Sequence, residues 1–543
     1  MTNARTRTAL LLGACIIVLP WARAHDNTQS DEWRAAQYPA SELYAPTPVP
    51  DRVVLTWNGD PATTQAVTWR TDASVGRGRA EIALASANGR AMVTRGYDAE
   101  SEYFKSDVNE ARYHTVTFQG LEPETLYAYR VGDGVNWTEF FHFRTASRRP
   151  KPFRFVYFGD AQNDVKTHWS RVFREAFRDA PHAAFMLHAG DLINEDTRDV
   201  EWGEWHGGAG WVNGTIPVVA TPGNHEYYRV NQGPATERYW TTSDNRDIPM
   251  ETDVTAQVDE DGIERFRLRA TSPTGVEVSM EYDAMGIISA VDQAFSELTG
   301  YAPDDIIGTK HYGSLLQNRR RQPGDPRVSK QWRPQFSFPV QDVPDGLEET
   351  VYYIDYQGTR FISLDSNRDT EAQLPWLRGA LENNPNRWTV LTFHHPIFSP
   401  AEDRDNAALR ALWKPVFDEF RVDLVLTGHD HTYARTGIPP ESVDVENVPA
   451  GYQQAYDPEI GTVYVVSVSG PKMYPITKGA YARRVAEDTQ LYQVIDVSDG
   501  ALEYRAYTAV GELYDAFTLE KLDGQPNRLR ELLPPERRLS AAR

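Results

Sequence analysis

Residues 390–396 read VLTFHHP, an apolar run that ends abruptly in two histidines, His394 and His395. Four other stretches share this design, and each ends in carboxylate, amide or imidazole groups. Runs that are apolar on both faces are typical of strands buried in a sheet between helices. Ligand groups collect at the carboxyl ends of such strands, so the five stretches predict a polar site there. The four others are FRFVYFGDAQ (153–162), AAFMLHAGDLINED (183–196), PVVATPGNHE (217–226) and VDLVLTGHDH (422–431).

The motifs in which these runs end form a specific set. GD, GDxxxE, GNHE, HHP and GHDH, in this order, resemble the motifs of the calcineurin-like metallophosphoesterases. The flanking sequence resembles the purple acid phosphatase branch of that family, from about Pro50 to about Leu522. A single GD or GNH would be weak evidence, but five motifs in one order are strong evidence. The resemblance implies a domain of two packed sheets with helices outside.

The resemblance also implies a centre of two metal ions. Strand-end carboxylates and imidazoles can hold two cations about 3.5–4 Å apart. Asp191 corresponds to the family's carboxylate that bridges both ions, and His225 corresponds to the group that contacts the phosphate and helps the leaving oxygen depart. The implied reaction is phosphoester hydrolysis by in-line attack of a metal-bound hydroxide. The other implied ligands are Asp160 and His431 for the first ion, and Asn224, His394 and His429 for the second.

The chain departs from purple acid phosphatases at two positions. Their coloured tyrosinate would lie three residues after Asp191, where this chain has Asn194. Gln162 stands where other metallophosphoesterases have a ligand histidine, and its amide oxygen could bind the first ion. Without the tyrosinate an iron(III)–zinc pair is in doubt, and mixed oxygen and nitrogen ligands leave Fe, Zn and Mn open. The further candidate site residues are Gln162, Asn194 and His395.

Four polar residues near the motifs have competing interpretations. Glu226 is interpreted as a partner that orients a ligand. His188 lies on an apolar strand and is interpreted as a core histidine. Tyr433 and Arg435 directly follow GHDH, and the sequence leaves open whether they line a phosphate pocket or lie exposed in a turn.

The chain is predicted to contain an all-β sandwich followed by an α/β two-sheet sandwich flanked by helices. Short segments with period-two alternation over residues 50–147 predict an antiparallel sandwich, and its last strands resemble a fibronectin type III domain, which leads purple acid phosphatases. Strands alternating with helical patterns predict the metallophosphoesterase domain over 153–522. Residues 25–49 are predicted to be a lead-in, and residues 523–543 a charged tail.

An insert interrupts the predicted metallophosphoesterase domain at residues 231–326. Residues 275–309 resemble the first half of a PAS sensor domain: a strand, a DxxG turn, a second strand, a helix and the phrase GYAPDDIIG. The later strands of such a domain are not evident after this phrase. Two interpretations therefore stay open, a PAS-like insert and a family loop that contains one similar phrase. Both predict that the insert emerges beside Asn224 and His225.

The N-terminus has the pattern of a secretory signal peptide. Arg5 and Arg7 precede an apolar stretch, and Ala22-Arg23-Ala24 gives an A-x-A cleavage site after residue 24. A lipoprotein site at Cys15, the only cysteine, is the less favoured alternative. A mature chain without a membrane span, exported to the periplasm or secreted, is expected. The net charge of −21 argues against a nucleic-acid surface, and the oligomeric state stays open.

These patterns predict a metal-dependent phosphoric ester hydrolase that acts on a small phosphorylated substrate. Phosphomonoesters are favoured, and a phosphodiesterase of the same fold is the alternative. A ligand-sensing protein that uses the insert is the rival from another class of function. A nearly complete set of implied ligands favours the enzyme.

Overall fold

The computed structural model describes most of the chain from residue 39 to residue 534. The predicted signal peptide with Cys15, most of the lead-in and all of the last nine residues lie outside the described residues. Within them no helix is long and apolar enough to cross a membrane. The described ranges are 39–229, 238–242, 247–258, 264–283, 288–307, 316–317, 326–402, 404–438, 452, 455–476, 482–532 and 534.

The first domain is the predicted antiparallel β-sandwich. Its two sheets enclose a core of alternating inward residues that includes Trp69, Phe118 and Tyr129, all without exposed surface. In sheet order, the strands of one sheet are Asp51–Thr56, Thr64–Asp72, Glu110–Gln119 and Glu100–Lys105, and those of the other are Arg95–Asp98, Arg79–Leu84, Leu126–Gly132 and Phe141–Arg144.

The second domain has two packed, mixed sheets, as the sequence predicts. The apolar runs form parallel neighbours at the centre, and the later segments add antiparallel strands. In sheet order, the first sheet contains Val218–Ala220, Met186–His188, Phe153–Phe158, Leu491–Val497, Ala501–Thr508, Leu513–Glu520 and Arg528–Glu531. The second contains Tyr352–Tyr356, Thr359–Ser363, Trp388–Thr392, Leu424–Thr427, Val463–Val466, Tyr433–Arg435 and Arg484–Ala486.

Helices cover the outer faces of both sheets. The helical patterns predicted between the strands are present, and three of them are the helices Ser170–Asp179, Leu374–Glu382 and Ala407–Glu419. Each buries its apolar side, for example Phe173 of the first and Trp413 of the third. A further helix, Asp199–Ala209, follows the GDxxxE motif. Short helices or helical turns lie at Ala40–Leu43, Gly89–Ala91, Val165–Trp169, Gly210–Gly214, Asn224–Glu226 and Trp332–Gln335.

The sandwich packs directly on the second domain. Trp57 lies 5.8 Å from Phe185 and 5.3 Å from Tyr356, measured between ring centroids, so the large core of the second domain continues across the boundary. Arg52 and Asp199 form a buried ion pair at the same interface, 2.7 Å from Nη1 to Oδ1. The two domains therefore share apolar and charged contacts.

The insert forms an antiparallel sheet with a small core that includes Leu268, Met280 and Phe295. The expected strand, strand and helix are present, although residues 284–287 of the turn between the strands lie outside the described part. Among the described residues, three further strands of this sheet precede the PAS-like phrase and one two-residue strand, Leu316–Gln317, follows it. In sheet order the strands are Ile288–Val291, Glu277–Asp283, Glu264–Thr271, Asp247–Val258, Arg238–Thr241 and Leu316–Gln317; the helices are Gln293–Thr299 and Pro303–Ile306.

An antiparallel ribbon joins the insert to the second domain. Tyr227–Arg229 pairs with Pro326–Val328, so the chain leaves and returns at one place. The N–H of Ser329 donates to the carbonyl of Glu226 at 2.7 Å, which closes the base of the ribbon. The ends of the insert therefore lie together next to the GNHE motif, as the sequence predicts.

Candidate metal centre

The five strand-end loops converge at the carboxyl edge of the two sheets. The N–H of Ala161 donates to the carbonyl of Asp191 at 2.9 Å, and the N–H of Gly428 donates to the carbonyl of His394 at 3.0 Å. Each bond joins one loop to another. The backbone links therefore bring the polar ends of separate strands to one site.

Left-handed backbone turns the key side chains inward. Asp191, His429 and His431 have φ angles of 51°, 74° and 44°, a region that residues other than glycine adopt rarely and mostly at functional sites. Two glycines permit the close approach. A Cβ on Gly223 would lie 2.0 Å from Oδ1 of Asp191, and a Cβ on Gly428 would lie 2.2 Å from Oδ1 of Asp160. The glycines of the motifs are thus required by the space beside the carboxylates.

Two donor clusters share the carboxylate of Asp191. In the described part of the chain, Asp160, Asp191 and His431 offer ligand atoms that all lie within 4.8 Å of one another, and so do Asp191, His394 and His429. Asp160, His394 and His431 are buried, and His429 is partly exposed. This is the arrangement that a bridging carboxylate between two cations requires.

The first cluster leaves acceptor atoms without partners. Nε2 of His431 lies 3.2 Å from Oδ2 of Asp160. The carboxamide of Gln162 donates from Nε2 to Oδ2 of Asp191 at 2.7 Å and lies 3.3 Å from Nε2 of His431. Oδ2 of Asp160 and Oε1 of Gln162 are buried and have no hydrogen-bond partner among the described residues. Rotating the amide of Gln162 by half a turn would exchange its nitrogen and oxygen, so that the oxygen faces Asp191 and His431.

The second cluster is centred on Nε2 of His394. This atom lies 3.1 Å from Oδ2 of Asp191, 3.1 Å from Oδ1 of Asn224 and 3.1 Å from Nδ1 of His429. Nδ1 of His394 donates to the carbonyl of Ala189 at 2.9 Å, so Nε2 is the ring nitrogen that faces the cluster. Asn224 is thereby brought together with the residues that share its predicted ion.

The donors fit a metal centre. Carboxylate, amide and imidazole groups that converge in a buried place need either protons or a cation between them, because a buried acceptor without a partner is costly. Burial and the neighbouring charge of Asp191 raise the pKa of Asp160, while the positive charge of His394 opposes this shift. Carboxylate, amide and imidazole ligands suit divalent first-row metals. One or more cations at this place would satisfy the unpartnered oxygens.

Glu226 holds the loops that carry these donors. It is fully buried, and its carboxylate accepts the N–H groups of Asp191 at 2.9 Å, Leu192 at 2.7 Å and Gly223 at 2.7 Å. Burial, with the charge of Asp191, raises its pKa to about 8. Glu226 therefore orients two ligand loops through their main chain, in keeping with the interpretation from sequence.

His225 lies beside the shared carboxylate and is 26% exposed. Its Nδ1 is hydrogen-bonded to the carbonyl of Asn194, and its Nε2 lies 4.0 Å from Oδ2 of Asp191. The Nε2 edge therefore faces the centre. The side chain of Asn194 is hydrogen-bonded to that of Asn163, whose Nδ2 donates to its Oδ1 at 2.6 Å. Asn194 thus acts on the site through its main chain, which was not predicted.

His395 packs beside the second cluster. Its ring centroid lies 4.1 Å from that of His429, and its Nδ1 lies 2.8 Å from Oγ of Ser366. Burial, reinforced by the positive charge of His394, lowers the pKa of His395 to about 3. It is a neutral, partly buried neighbour of the donors.

The remaining sequence interpretations have clear outcomes. His188 is a core histidine stacked on Phe158 at 5.2 Å, and burial lowers its pKa to about 3. Tyr433 and Arg435 are fully buried; both bond to Asp515, so the two alternatives left open for them are both wrong.

Sequence reasoning did not single out Arg404. Arg404 reaches the second cluster, with Nη2 2.5 Å from Nε2 of His429. It lies ten residues after His394 in the charged stretch AEDRD, which contains no motif that would have singled it out.

Comparison with known proteins identifies the two domains. Residues 50–145 match the sequence model of the purple acid phosphatase N-terminal domain. Residues 153–267 and 311–433 match that of the calcineurin-like phosphoesterases. The second match omits residues 268–310, which lie within the insert.

Individual relatives are distant. Uncharacterized proteins from two strains of Mycobacterium tuberculosis are 39% identical over 70 residues, which is 12% of this chain and 13% of each relative. The chain thus spans only a small part of these curated relatives.

Two solved structures share the fold. A purple acid phosphatase from yellow lupin (Lupinus luteus) seeds superposes with a TM-score of 0.55 at 15% identity, over 87% of this chain and 74% of that one. The structure of PhoD gives 0.53 at 12% identity, over 90% and 92%. With both domain matches and the converging strand ends, the chain belongs to the calcineurin-like phosphoesterases, in the branch that carries a purple acid phosphatase N-terminal domain.

Proposed function

We propose that this protein is an exported phosphoesterase that hydrolyses small phosphomonoesters with the help of two metal ions. The observation that carries the proposal is the carboxylate of Asp191, which belongs to both donor clusters. A carboxylate shared by two sets of acceptors is expected in a site that binds two cations close together. Two such cations can act on one phosphoryl group. The N-terminal signal-like pattern supports export.

The ligand assignment follows the two clusters. When bound, the ions would supply Lewis-acid catalysis and neutralise charge on the phosphoryl group. Because the protein carries a net charge of −21, an anionic substrate needs such local attraction. The first ion would be held by Asp160, Asp191, His431 and the amide oxygen of Gln162, and the second by Asp191, Asn224, His394 and His429.

His225 is the proposed general acid. Its Nδ1 is fixed by the carbonyl of Asn194, so the proton that can be delivered is the one on Nε2 of the protonated ring. That edge faces Asp191 and is reached from solvent, which suits transfer to a leaving oxygen. General acid catalysis of this kind contributes about 10²–10⁴-fold to a rate. His225→Ala should therefore lower kcat while the metal content stays unchanged.

The test uses the full-length protein, metal analysis and two substrates, p-nitrophenyl phosphate and bis-p-nitrophenyl phosphate. Asp191→Ala should lose both metals and nearly all activity. Asp345→Ala, which changes an exposed carboxylate of the same domain, is the control and should keep both. Retained metals and turnover in Asp191→Ala would contradict the proposal. Faster turnover of the diester would favour the phosphodiesterase alternative, and the absence of turnover with intact metals would favour the ligand-sensing protein.

Colour gives an independent check. The side chain of Asn194 is hydrogen-bonded to Asn163 and cannot supply a tyrosinate. The metal-loaded protein should therefore lack the intense visible band of purple acid phosphatases, whichever metals it holds. An absorption spectrum after metal analysis decides this, and an intense band would show the ligand assignment at this position to be wrong.

A further inference from the structure

Arg404 combines an anchor with access to solvent. Its Nε donates to Oδ1 of Asp430 at 2.6 Å, and its Nη2 lies 2.5 Å from Nε2 of His429. Asp430 is fully buried, between the two histidines of the GHDH motif, whereas the side chain of Arg404 is 30% exposed. Nη1 makes no hydrogen bond within the described part of the chain. The guanidinium is thus held at one edge and free at the other, beside the donors assigned to the second ion.

The contact with His429 is incompatible with a loaded centre. Nδ1 of His429 faces the cluster, 3.1 Å from Nε2 of His394, and is the atom that would bind a cation. A neutral imidazole that binds through Nδ1 carries its proton on Nε2. Nε2 and Nη2 of Arg404 would then both be donors. Nη2 would then keep only a long contact to the carbonyl of His429, at 3.5 Å, so the guanidinium has donors for a further acceptor once a cation is bound.

Aromatic stacking places a second positive charge beside Arg404. The guanidinium lies over the ring of Tyr474 at 4.8 Å, and Nζ of Lys472 lies 5.6 Å from the same ring centroid. Tyr474 in turn packs on His431 at 4.7 Å. Arg404, Tyr474 and Lys472 therefore form a cationic rim that runs from one donor cluster to the other, in a protein whose net charge is strongly negative.

We propose that Arg404 binds a terminal oxygen of the substrate phosphate and thereby selects phosphomonoesters over phosphodiesters. The inference rests on the proposed function. A guanidinium presents paired N–H donors that match the geometry of a phosphate, and the pairing is strongest with a dianion. A monoester has three terminal oxygens and can offer one to Arg404. A diester carries only one negative charge, and a second ester group replaces one of these oxygens.

The experiment compares Arg404→Met and Arg404→Lys with an exposed arginine of the same domain, Arg378→Met. Metal content, binding of inorganic phosphate by calorimetry, and kcat/KM for both p-nitrophenyl esters are measured on the full-length, metal-loaded proteins. A hydrogen bond to a charged group is expected to change affinity about 10–100-fold. Arg404→Met should raise the Kd for phosphate by about this factor and lower kcat/KM for the monoester equally.

The two substrates and the two variants separate the competing explanations. With metal content unchanged in both variants, kcat/KM for the diester should change less than about threefold, given that its terminal oxygens are fewer. Arg404→Lys, which keeps the charge but loses the fork, should lie between wild type and Arg404→Met. Arg378→Met should match wild type in every measurement.

Three results would overturn the inference. Loss of metal in both Arg404 variants would make the residue part of the support for the ligands, through Asp430. Equal losses of kcat/KM for the monoester and the diester would show that Arg404 does not select between them. Unchanged phosphate binding in Arg404→Met would exclude the contact itself, and this readout holds even if the wild type hydrolyses neither ester, in which case the proposed function fails separately.

Discussion

The β-sandwich and the insert are attached to the two-sheet domain in opposite ways. The sandwich is joined through buried charges: Asp199 accepts from Arg52 at 2.7 and 3.0 Å and from Arg70 at 3.2 Å. These side chains are at most 3% exposed. The insert is joined through a ribbon of two short strands, Tyr227–Arg229 and Pro326–Val328. The buried charges at the sandwich interface need both domains in place, because each charge needs its partner. The ribbon could form without the rest of the insert.

The buried charges make the sandwich part of the site's support. Asp199 begins a helix that also carries Glu201, and the carboxylate of Glu201 accepts the N–H groups of Asn194 at 2.6 Å and Glu195 at 2.9 Å. The carbonyl of Asn194 in turn holds His225. A path of direct contacts therefore runs from the sandwich to the proposed general acid. The comparison indicates that the sandwich contributes to the geometry of the site, whereas the insert is only attached next to it.

The largest expected effect follows from removing Asp199, the buried carboxylate that Arg52 and Arg70 share. Asp199→Ala leaves two buried arginines without their shared partner, and removing one member of a buried ion pair costs about 3–5 kcal/mol. The free energy of unfolding, measured with denaturant, should fall by that amount. Asp98→Ala, whose partner Arg79 and own carboxylate are both exposed, is the control in the same domain and should change it by less than about 0.5 kcal/mol. Similar free energies of unfolding for both variants would show that the buried charges do not stabilise the domain interface.

An intermediate effect is expected from the link between the helix and His225. Glu201→Ala removes the acceptor of two main-chain N–H groups in the loop of Asn194. A shift of about 1 Å in a catalytic group costs about 10²-fold in rate, so kcat should fall by about 10–100-fold while metal content stays constant. Glu382→Ala, at the end of an outer helix, should behave as wild type. If Glu201→Ala lowered the free energy of unfolding but kept kcat, the contacts between the sandwich and His225 would have a structural role and no catalytic one.

The smallest effect is expected from removing the insert. Residues 231–325 are replaced by a short Gly/Ser linker, which keeps both strands of the ribbon. Because loop closure changes by only about 0.6 kcal/mol per doubling of length, the free energy of unfolding of the remaining protein should change by less than about 1 kcal/mol. Metals and turnover of p-nitrophenyl phosphate should be retained, while selectivity among larger phosphoesters should change.

A second replacement tests where the insert ends. Extending the cut to residues 227–328 removes Tyr227, which directly follows the GNHE motif. The hydroxyl of Tyr227 is hydrogen-bonded to the buried carboxylate of Asp365. This longer cut should weaken metal binding where the shorter one does not. If the shorter cut also abolished metal binding in a folded protein, the insert would belong to the site.

The fold could be predicted because its signals are local. Period-two alternation predicted the sandwich, and apolar runs ending in polar groups predicted the central parallel strands; both are confirmed. The insert shows the limit of such signals. The expected strand–strand–helix order over 277–299 is present, but most of its sheet comes from strands before it in the chain. Pairing between distant strands leaves no trace in the sequence of either one.

The site could be predicted in part. The structure brings the six implied donors and Gln162 together, because parallel strands that end in polar groups necessarily place them at one edge. It pairs the side chain of Asn194 with Asn163 and uses the carbonyl of Asn194 to hold His225. A main-chain role cannot be seen in residue types, since every residue has the same carbonyl group.

The sequence by itself determined the strand ends, the glycines beside the carboxylates and the types of donor, because each depends on a few neighbouring residues. Tertiary structure alone decided the partners of the arginines. Arg435 lies four residues after a well-defined motif and is buried on Asp515, whereas Arg404, outside any motif, reaches His429. An arginine side chain is long and carries donors on all sides, so its role is set by which acceptors the folded chain places within its reach.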